Sequence, residues 1–319
     1  MEKSLSHTSK PLPFFISEEE LKKEVYRIIS QIPRGRVSTY LEVAKALGDP
    51  VAARWVGKAL KENPHPIVVP CHRVVMSSGK IGGYSGGVEK KIELLVSEGV
   101  RVEGDRIVDL PKILFKEFSS SKPLKKLRKF QLEIASKAVF SDSFSNLKKA
   151  VAVDVAYKGR EYSAGVVVYD LERKKVLDEI ICKGRVEFPY IPGYLFFREG
   201  PIVMGSVRDL EFDLLLIDGN GLLHPVRAGL AVMVGVLLDV PTIGVAKSLL
   251  CGRVGERGEV VVDGEIRGFE VRREKKIYVS PGHRISLETS LKIIEKLPLI
   301  RGLPEPLKLA HNLSGRGFK

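Results

Sequence analysis

The chain has 319 residues, 44% of them hydrophobic, and a formal net charge of +13. That is enough apolar material for one large or two ordinary cores, and a basic excess shared by both halves favours a polyanionic partner such as nucleic acid. Three scattered cysteines, Cys71, Cys182 and Cys251, exclude a disulfide framework; no apolar run is membrane-length and the start, MEKSLSHTSKPLPFF, has no signal core, so a soluble cytoplasmic protein is expected.

Ser17 and Glu20 form a capping box before Leu21, Val25, Ile28 and Ile29 at helical spacing. STYLEVAKALG predicts a short helix ending at Gly48. Asp49-Pro50 then opens another, VAARWVGKALKEN, which Asn63-Pro64 closes. Two short helices joined by a tight turn suggest a helix-turn-helix. In IVVPCHRVV, the valines at 68, 69, 74 and 75 predict a short buried strand, interrupted by Pro70 and Cys71-His72-Arg73. SSSKPLKKLRK, residues 119–129, is polar, basic and proline-containing, and is expected to be a linker. It separates a domain over 1–118 from one over 130–319. Beyond it, KAVAVDVAYKG, SAGVVVYDL, KKVLDEIIC, DLLLIDGNG and VPTIGVAKS are strand-like, while HPVRAGLAVMVGVLLD and ISLETSLKIIEKL are helix-like. This predicts a mixed α/β domain with buried strands.

A buried free cysteine is ordinarily inert. Cys71 is set apart by His72 beside it, Arg73 after it, and Glu98 downstream as a carboxylate able to orient an imidazole. Such neighbours promote the nucleophilic thiolate. Residues 21–108, through GRVSTYLEVAKALG, AARWVGKALKENPHPIVVPCHRVV and SGKIGGYSGG, resemble the active-site domain of the O6-alkylguanine-DNA alkyltransferases. The resemblance implies a mainly helical, winged-helix-like domain in which Cys71 accepts an alkyl group from a flipped guanine. His72 takes the thiol proton through a water, and Glu98 orients His72. Asn63 matches the brace of the active-site turn, Arg54 the finger that fills the hole left by the base, and Tyr40 the residue that helps turn the target phosphate. Tyr84 and Ser85 match the loop against the base. Family members often carry a separate domain ahead of this one, whereas only about 16 residues precede the first predicted helix.

In the second half, Asp154 interrupts an apolar strand, Asp218 ends another, and Glu199 lies in YLFFREGP. Carboxylates in such places are costly unless paired or bound to a metal. Two strand-end aspartates and a glutamate suit a hard cation such as Mg²⁺. Residues 125–319, through AVDVAY, PYIPGYLFFREGP, DLLLIDGNGLLHP, PTIGVAKS, YVSPGHRIS and AHNLSGRG, resemble endonuclease V, the deoxyinosine 3′ endonuclease. The resemblance implies an RNase H-like fold in which Asp154, Asp218 and Glu199 hold Mg²⁺. Lys247 and His224 support catalysis, and His311 lies near the metal. Tyr190, Ile191, Pro192 and Gly193 match the wedge that parts the strands. Gly219, Gly221, Gly229, Ala246 and Leu250 match the pocket for the flipped base, and cleavage is expected at the second phosphodiester 3′ to the lesion. Val226 stands where the family often has arginine, and Arg227 is a candidate to cover that phosphate contact. Together the resemblances imply a two-headed DNA repair protein acting on O6-alkylguanine and deoxyinosine. The alternative is a lesion-binding or regulatory module with an inert Cys71, fused to an inosine-specific ribonuclease.

Overall fold

The computed structural model describes residues 2–4 and 16–318. The chain divides into two compact units: Phe14–Lys129 with Phe188–Pro192, and Phe130–Glu187 with Gly193–Lys319 and the amino-terminal segment. A first strand, β1 (Glu2–Ser4), belongs to the sheet of the second unit.

Local signals set the helices of the first unit. The capping box that opens α1 (Glu18–Ile29) is complete: Glu20 N–H donates to Ser17 Oγ at 3.2 Å and Ser17 N–H to Glu20 Oε2 at 2.8 Å. Leu21, Val25, Ile28 and Ile29 form its buried stripe. Strand β2 (Ser38–Thr39) leads into α2 (Tyr40–Leu47), capped by the Thr39 side chain and closed by Gly48. Gly48 has φ +109°, and a Cβ there would sit 2.6 Å from the Lys125 backbone nitrogen. Conformation and space both demand glycine. Asp49 caps a 3-10 turn over Pro50–Ala52, and α3 (Ala53–Lys61) follows. It buries Trp55, Val56, Ala59 and Leu60 and leaves Arg54 exposed. The expected helix pair is therefore present, packed with α1.

The strand expected across 68–75 is only half there. Val74–Val75 form β3, parallel to β2, but Val68 is 83% exposed and Ile67 has φ +78°. Pro66 and Pro70 remove ladder donors, so the valine run becomes a loop and Cys71–Arg73 a 3-10 turn. The unit continues with α4 (Val88–Ser97), the hairpin β4 (Val102–Glu103) and β5 (Arg106–Ile107), and α5 (Leu110–Ile113). Val37, Val75, Ile81, Leu95, Val100 and Ile107 form a core here. The second half of the expected linker is helical: α6 runs Pro123–Ala135. Its proline sits at the first position, where no N–H is needed, and the basic residues decorate a buried stripe of Leu124, Leu127, Phe130 and Ile134.

The second unit is built on a mixed sheet. β6 (Lys149–Lys158), β7 (Glu161–Asp170) and β8 (Lys175–Arg185) form an antiparallel meander. Helix α7 (Leu195–Val207) then leads to β9 (Leu214–Asp218), which runs parallel to β6. After α8 (Leu230–Leu238) comes β10 (Thr242–Ala246), parallel to β9. Strands β11 (Arg253–Val254), β12 (Glu259–Val262), β13 (Glu265–Arg272) and β14 (Lys276–His283) extend the sheet antiparallel from β10. Helix α9 (Leu287–Lys296), the hairpin β15 (Leu299–Ile300) and β16 (Leu303–Pro304), and α10 (Glu305–Arg316) complete it. The helix expected from His224 begins only at Leu230, because the preceding segment is a turn with Arg227 at φ +57°.

Alternation along the strands decides which side chains reach α10. Ala150, Ala152, Leu214, Leu216, Ile243 and Val279 point to one face, where Ile294 of α9 and Leu307, Ala310 and Leu313 of α10 cover them. At Gly165 of β7 the helix lies against bare backbone: a Cβ would stand 2.2 Å from the Ala310 carbonyl oxygen and 2.6 Å from the Ser314 nitrogen. No helix among the described residues is long and apolar enough to cross a membrane.

Candidate active sites

The Cys71 turn is held from several sides. Asn63, just past α3, donates from Nδ2 to the Val69 carbonyl at 3.0 Å and towards Cys71 Sγ at 3.1 Å; its Oδ1 accepts from His65 N–H at 3.0 Å. His72 is buried, with Nε2 3.1 Å from Glu98 Oε1. Arg73 grips the same carboxylate with two bonds of 2.7 and 2.8 Å and donates to the Ile32 carbonyl. Burial works against the Glu98 charge, but the Arg73 and His72 bonds outweigh it and hold its pKa below the usual range. A carboxylate can only accept, so His72 Nε2 carries the proton and Nδ1 presents a lone pair. That Nδ1 is buried without a partner. Burial also lowers the His72 pKa, against the pull of Glu98.

Tyr40 and Tyr84 frame the turn. The Tyr84 ring meets His72 edge-on at 6.4 Å, and burial raises the pKa of both tyrosines, with Cys71 adding to it. Ser85 and Arg54 are exposed. The sequence reading missed Lys91. This fully buried lysine on α4 donates to the Val74 carbonyl at 2.6 Å and the Gly83 carbonyl at 3.2 Å, and lies 5.8 Å from the Tyr40 ring centroid. Burial lowers its pKa to about 8, with Cys71 opposing. Its position four residues before buried Leu95 was the available signal, since that spacing shares one helix face.

In the second unit, the β6–β9 register sets Asp154, in the middle of β6, beside Asp218 at the end of β9. Ligating atoms of Asp154, Asp218 and His311 all lie within 4.8 Å of one another. Ser314, one turn after His311 on α10, donates to Asp154 Oδ2 at 2.7 Å. Lys247, just past β10, pairs with Asp218 and stands 3.9 Å from Asp154. Glu199 is outside the three-residue group, on α7, where Tyr157 OH donates to it at 3.1 Å. Burial pushes Asp218 up to about 7, with Asp154 adding to the shift and Lys247 opposing. Burial does the same to Glu199, also to about 7, reinforced by both aspartates. This cluster resists carrying its full negative charge unaided, and its oxygen-rich donors with one imidazole suit a divalent cation.

The remaining expected residues fall into three groups. His224 is buried, and its Nδ1 accepts from Val226 and Ala228 N–H at 3.3 and 3.4 Å, tying down the turn before α8. Arg227 does not stand free for a phosphate; its guanidinium is paired with Glu265 at 2.8 Å. Gly219 and Ala246 are buried and Leu250 is exposed, while Gly221 and Gly229 are needed for backbone packing. A Cβ at either would lie 2.2–2.3 Å from a carbonyl oxygen, that of Pro281 for Gly221 and that of Asn220 for Gly229. In the expected wedge, Tyr190 is 63% exposed and Pro192 exposed, but Ile191 is 1% exposed; Gly193, at φ +75°, accepts from Gln131 through its carbonyl at 2.9 Å.

A mixed sheet with aspartates on two adjacent strands, and a helical unit holding a braced cysteine, define an RNase H-like nuclease fold joined to an alkyltransferase-type domain. Family models agree: that for endonuclease V matches residues 132–312, and that for the 6-O-methylguanine DNA methyltransferase DNA-binding domain matches 20–100. The chain belongs to the bifunctional methyltransferase/endonuclease family. It is 42% identical over 293 residues to the member from Picrophilus torridus, covering 92% of this chain and 95% of that one. With the member from Thermoplasma volcanium it shares 37% identity over 92% of this chain and 89% of the other. The crystal structure of human ENDOV is similar with a TM-score of 0.56 at 28% identity, covering 61% of this chain and 97% of that one.

Proposed function

We propose that the chain is a DNA repair protein with two chemistries: irreversible transfer of an alkyl group from O6-alkylguanine in DNA to Cys71, and Mg²⁺-dependent hydrolysis of the second phosphodiester 3′ to deoxyinosine. The observation that carries the first is the Asn63–Cys71–His72–Glu98 constellation; for the second it is the grouping of Asp154, Asp218 and His311. A base inside a duplex is out of reach and has to be extruded, at a few kcal/mol. Arg54, exposed on α3, would fill the space left, with Tyr40 turning the phosphate and Tyr84 and Ser85 against the base.

In the transfer step the thiol proton passes, through a water, to the lone pair at His72 Nδ1, while Glu98 fixes that tautomer from the other side. The sulfur forms its bond to the alkyl carbon as the carbon–O6 bond breaks. The electron pair goes to the base, which takes up a proton. A thioether is a poor leaving group, so each molecule reacts once. In the second unit Asp154 and Asp218, with His311 or Glu199, would hold Mg²⁺. Such an ion activates water and stabilises charge on a phosphate. Ser314 orients the Asp154 carboxylate, and Lys247 stands by both aspartates, where it can meet a phosphate oxygen. Tyr190 at the exposed tip of the PYIPG segment parts the strands.

The test uses one duplex with O6-methylguanine and another with deoxyinosine, each with and without Mg²⁺. One methyl per molecule on Cys71 regardless of metal, and metal-dependent nicks 3′ to deoxyinosine, are expected. Binding without methyl uptake would replace the first activity by lesion recognition. Cleavage of inosine RNA in preference to DNA would replace the second substrate.

A further inference from the structure

A second feature lies on the face of the sheet that carries Asp154. At the open end of β6, β7 and β8 is a cavity of about 540 Å³ whose lining includes Lys158, Lys183, Arg185, Glu161, Tyr162 and Phe318. Strand alternation puts Asp154 and Lys158 on one face, four residues apart. The register sets Lys158 opposite Glu161, Glu161 opposite Arg185, and Ser163 opposite Lys183, so the cations of two strands share that face. Gly317, at the end of α10, closes one side.

Lys158 and Arg185 face the single carboxylate of Glu161 around a concave space, with Lys183 beside them. Lys158 and Arg185 make no ion pair among the described residues, although Glu161 lies between them in the register. Those two basic side chains, left without an ion pair at a cavity, suit an anion that arrives from outside. The four-residue step along β6 spans about 13 Å. That corresponds to about four nucleotides along a duplex at 3.4 Å each.

We propose that this cavity is a phosphate subsite, holding backbone phosphates of the DNA strand about four nucleotides from the bond that the Asp154 site would cleave. The proposal rests on the nuclease reading for its ligand and its distance. The subsite positions the strand and takes no part in bond breaking, so it contributes to affinity and to KM and leaves kcat alone.

The test is fluorescence anisotropy with an undamaged duplex over a salt series, comparing the full chain with its Lys158→Ala/Arg185→Ala double variant. Loss of two phosphate contacts makes the slope of log affinity against log salt shallower by about 1.8. The wild-type advantage therefore shrinks about tenfold across a fourfold rise in salt. Glu161→Gln removes the opposing charge and tightens binding. A duplex too short to reach the cavity binds wild type and double variant alike. The charge-preserving Lys158→Arg/Arg185→Lys variant keeps the wild-type slope. Equal slopes for wild type and the alanine variant, weaker binding by Glu161→Gln, or a loss in the charge-preserving variant each overturn the subsite. Because this readout needs no lesion, failure to nick deoxyinosine alongside the expected slopes would sink the nuclease reading alone.

Discussion

Gly165→Ala should disable the nuclease without touching its ligands. The added Cβ would stand 2.2 Å from the Ala310 carbonyl oxygen, a contact that has to open by about 1 Å to reach ordinary van der Waals distance. Neither partner is the free end of a side chain; both are backbone, of β7 and of α10, so the helix has to move. That helix carries Ser314, 2.7 Å from Asp154, and His311, 3.4 Å from it. Overpacking of this kind costs about 1–3 kcal/mol in stability, and a 1 Å misplacement of a catalytic group about a hundredfold in rate. The matched control is Gly315→Ala on the same helix, where an added Cβ meets nothing within 4 Å; exchanging glycine for alanine in a helix stabilises by roughly 0.5–1 kcal/mol. Single-turnover nicking, alkyl uptake and the melting midpoint of the two variants separate the effects. Gly165→Ala should lose nicking and some stability and keep alkyl transfer, while Gly315→Ala stays at wild-type activity. Wild-type nicking by a folded Gly165→Ala protein would refute the idea that the α10–β7 contact sets the geometry at Asp154.

Cys71→Ala should end alkyl uptake and leave nicking intact, and mass spectrometry of the wild type should place the methyl on Cys71; label on Cys182 or Cys251 would count against the assignment. Asp154→Ala or Asp218→Ala should lower nicking by orders of magnitude while binding to inosine DNA survives, and EDTA should stop nicking alone; full activity in either variant would remove the metal site. Lys91 titrates near 8 in the fold, below the 10.5 of an ordinary lysine, so the unfolded chain holds more protons between those values and stability there rises with pH. Relative to Lys91→Met, the wild type should gain stability from about pH 8 to 10, followed by the fluorescence of Trp55, the one tryptophan in the chain; a flat difference would mean that the ammonium is not desolvated.

Short-range signals carried the first unit. Ser17 with Glu20, Gly48, and Asp49 with Pro50 each act within four residues, and helix starts and stops follow them. The sequence reading failed where a local pattern met a longer-range demand. Val68 and Val69 look like core, yet flanking prolines and a left-handed Ile67 turn Val68 outwards and leave Val69 half-buried. The basic residues of 122–129 look like a linker, yet every third or fourth position is apolar, and the segment folds as helix once that stripe is covered. The hairpin at Asp263-Gly264 was passed over although its two-residue turn, with φ of +52° and +81°, has the dipeptide such turns favour. In the acidic site Asp154 and Asp218 were visible as charges in apolar strands. Ser314 was not, because nothing local ties a small helical residue to a carboxylate 160 positions away.

Gly48 shows how evolutionary constraint can mimic function. The position is barred to other residues twice over, by a left-handed backbone and by the Lys125 backbone pressed against it. Relief of one restriction leaves the other in force, so no single compensating change elsewhere reopens the site to variation. A saturation scan scored for alkyl transfer would rank Gly48 beside Cys71 in intolerance. The two would part company once abundance or nicking is measured beside it: the cysteine variants would accumulate as folded protein that still nicks, and the glycine variants would be lost from the soluble pool.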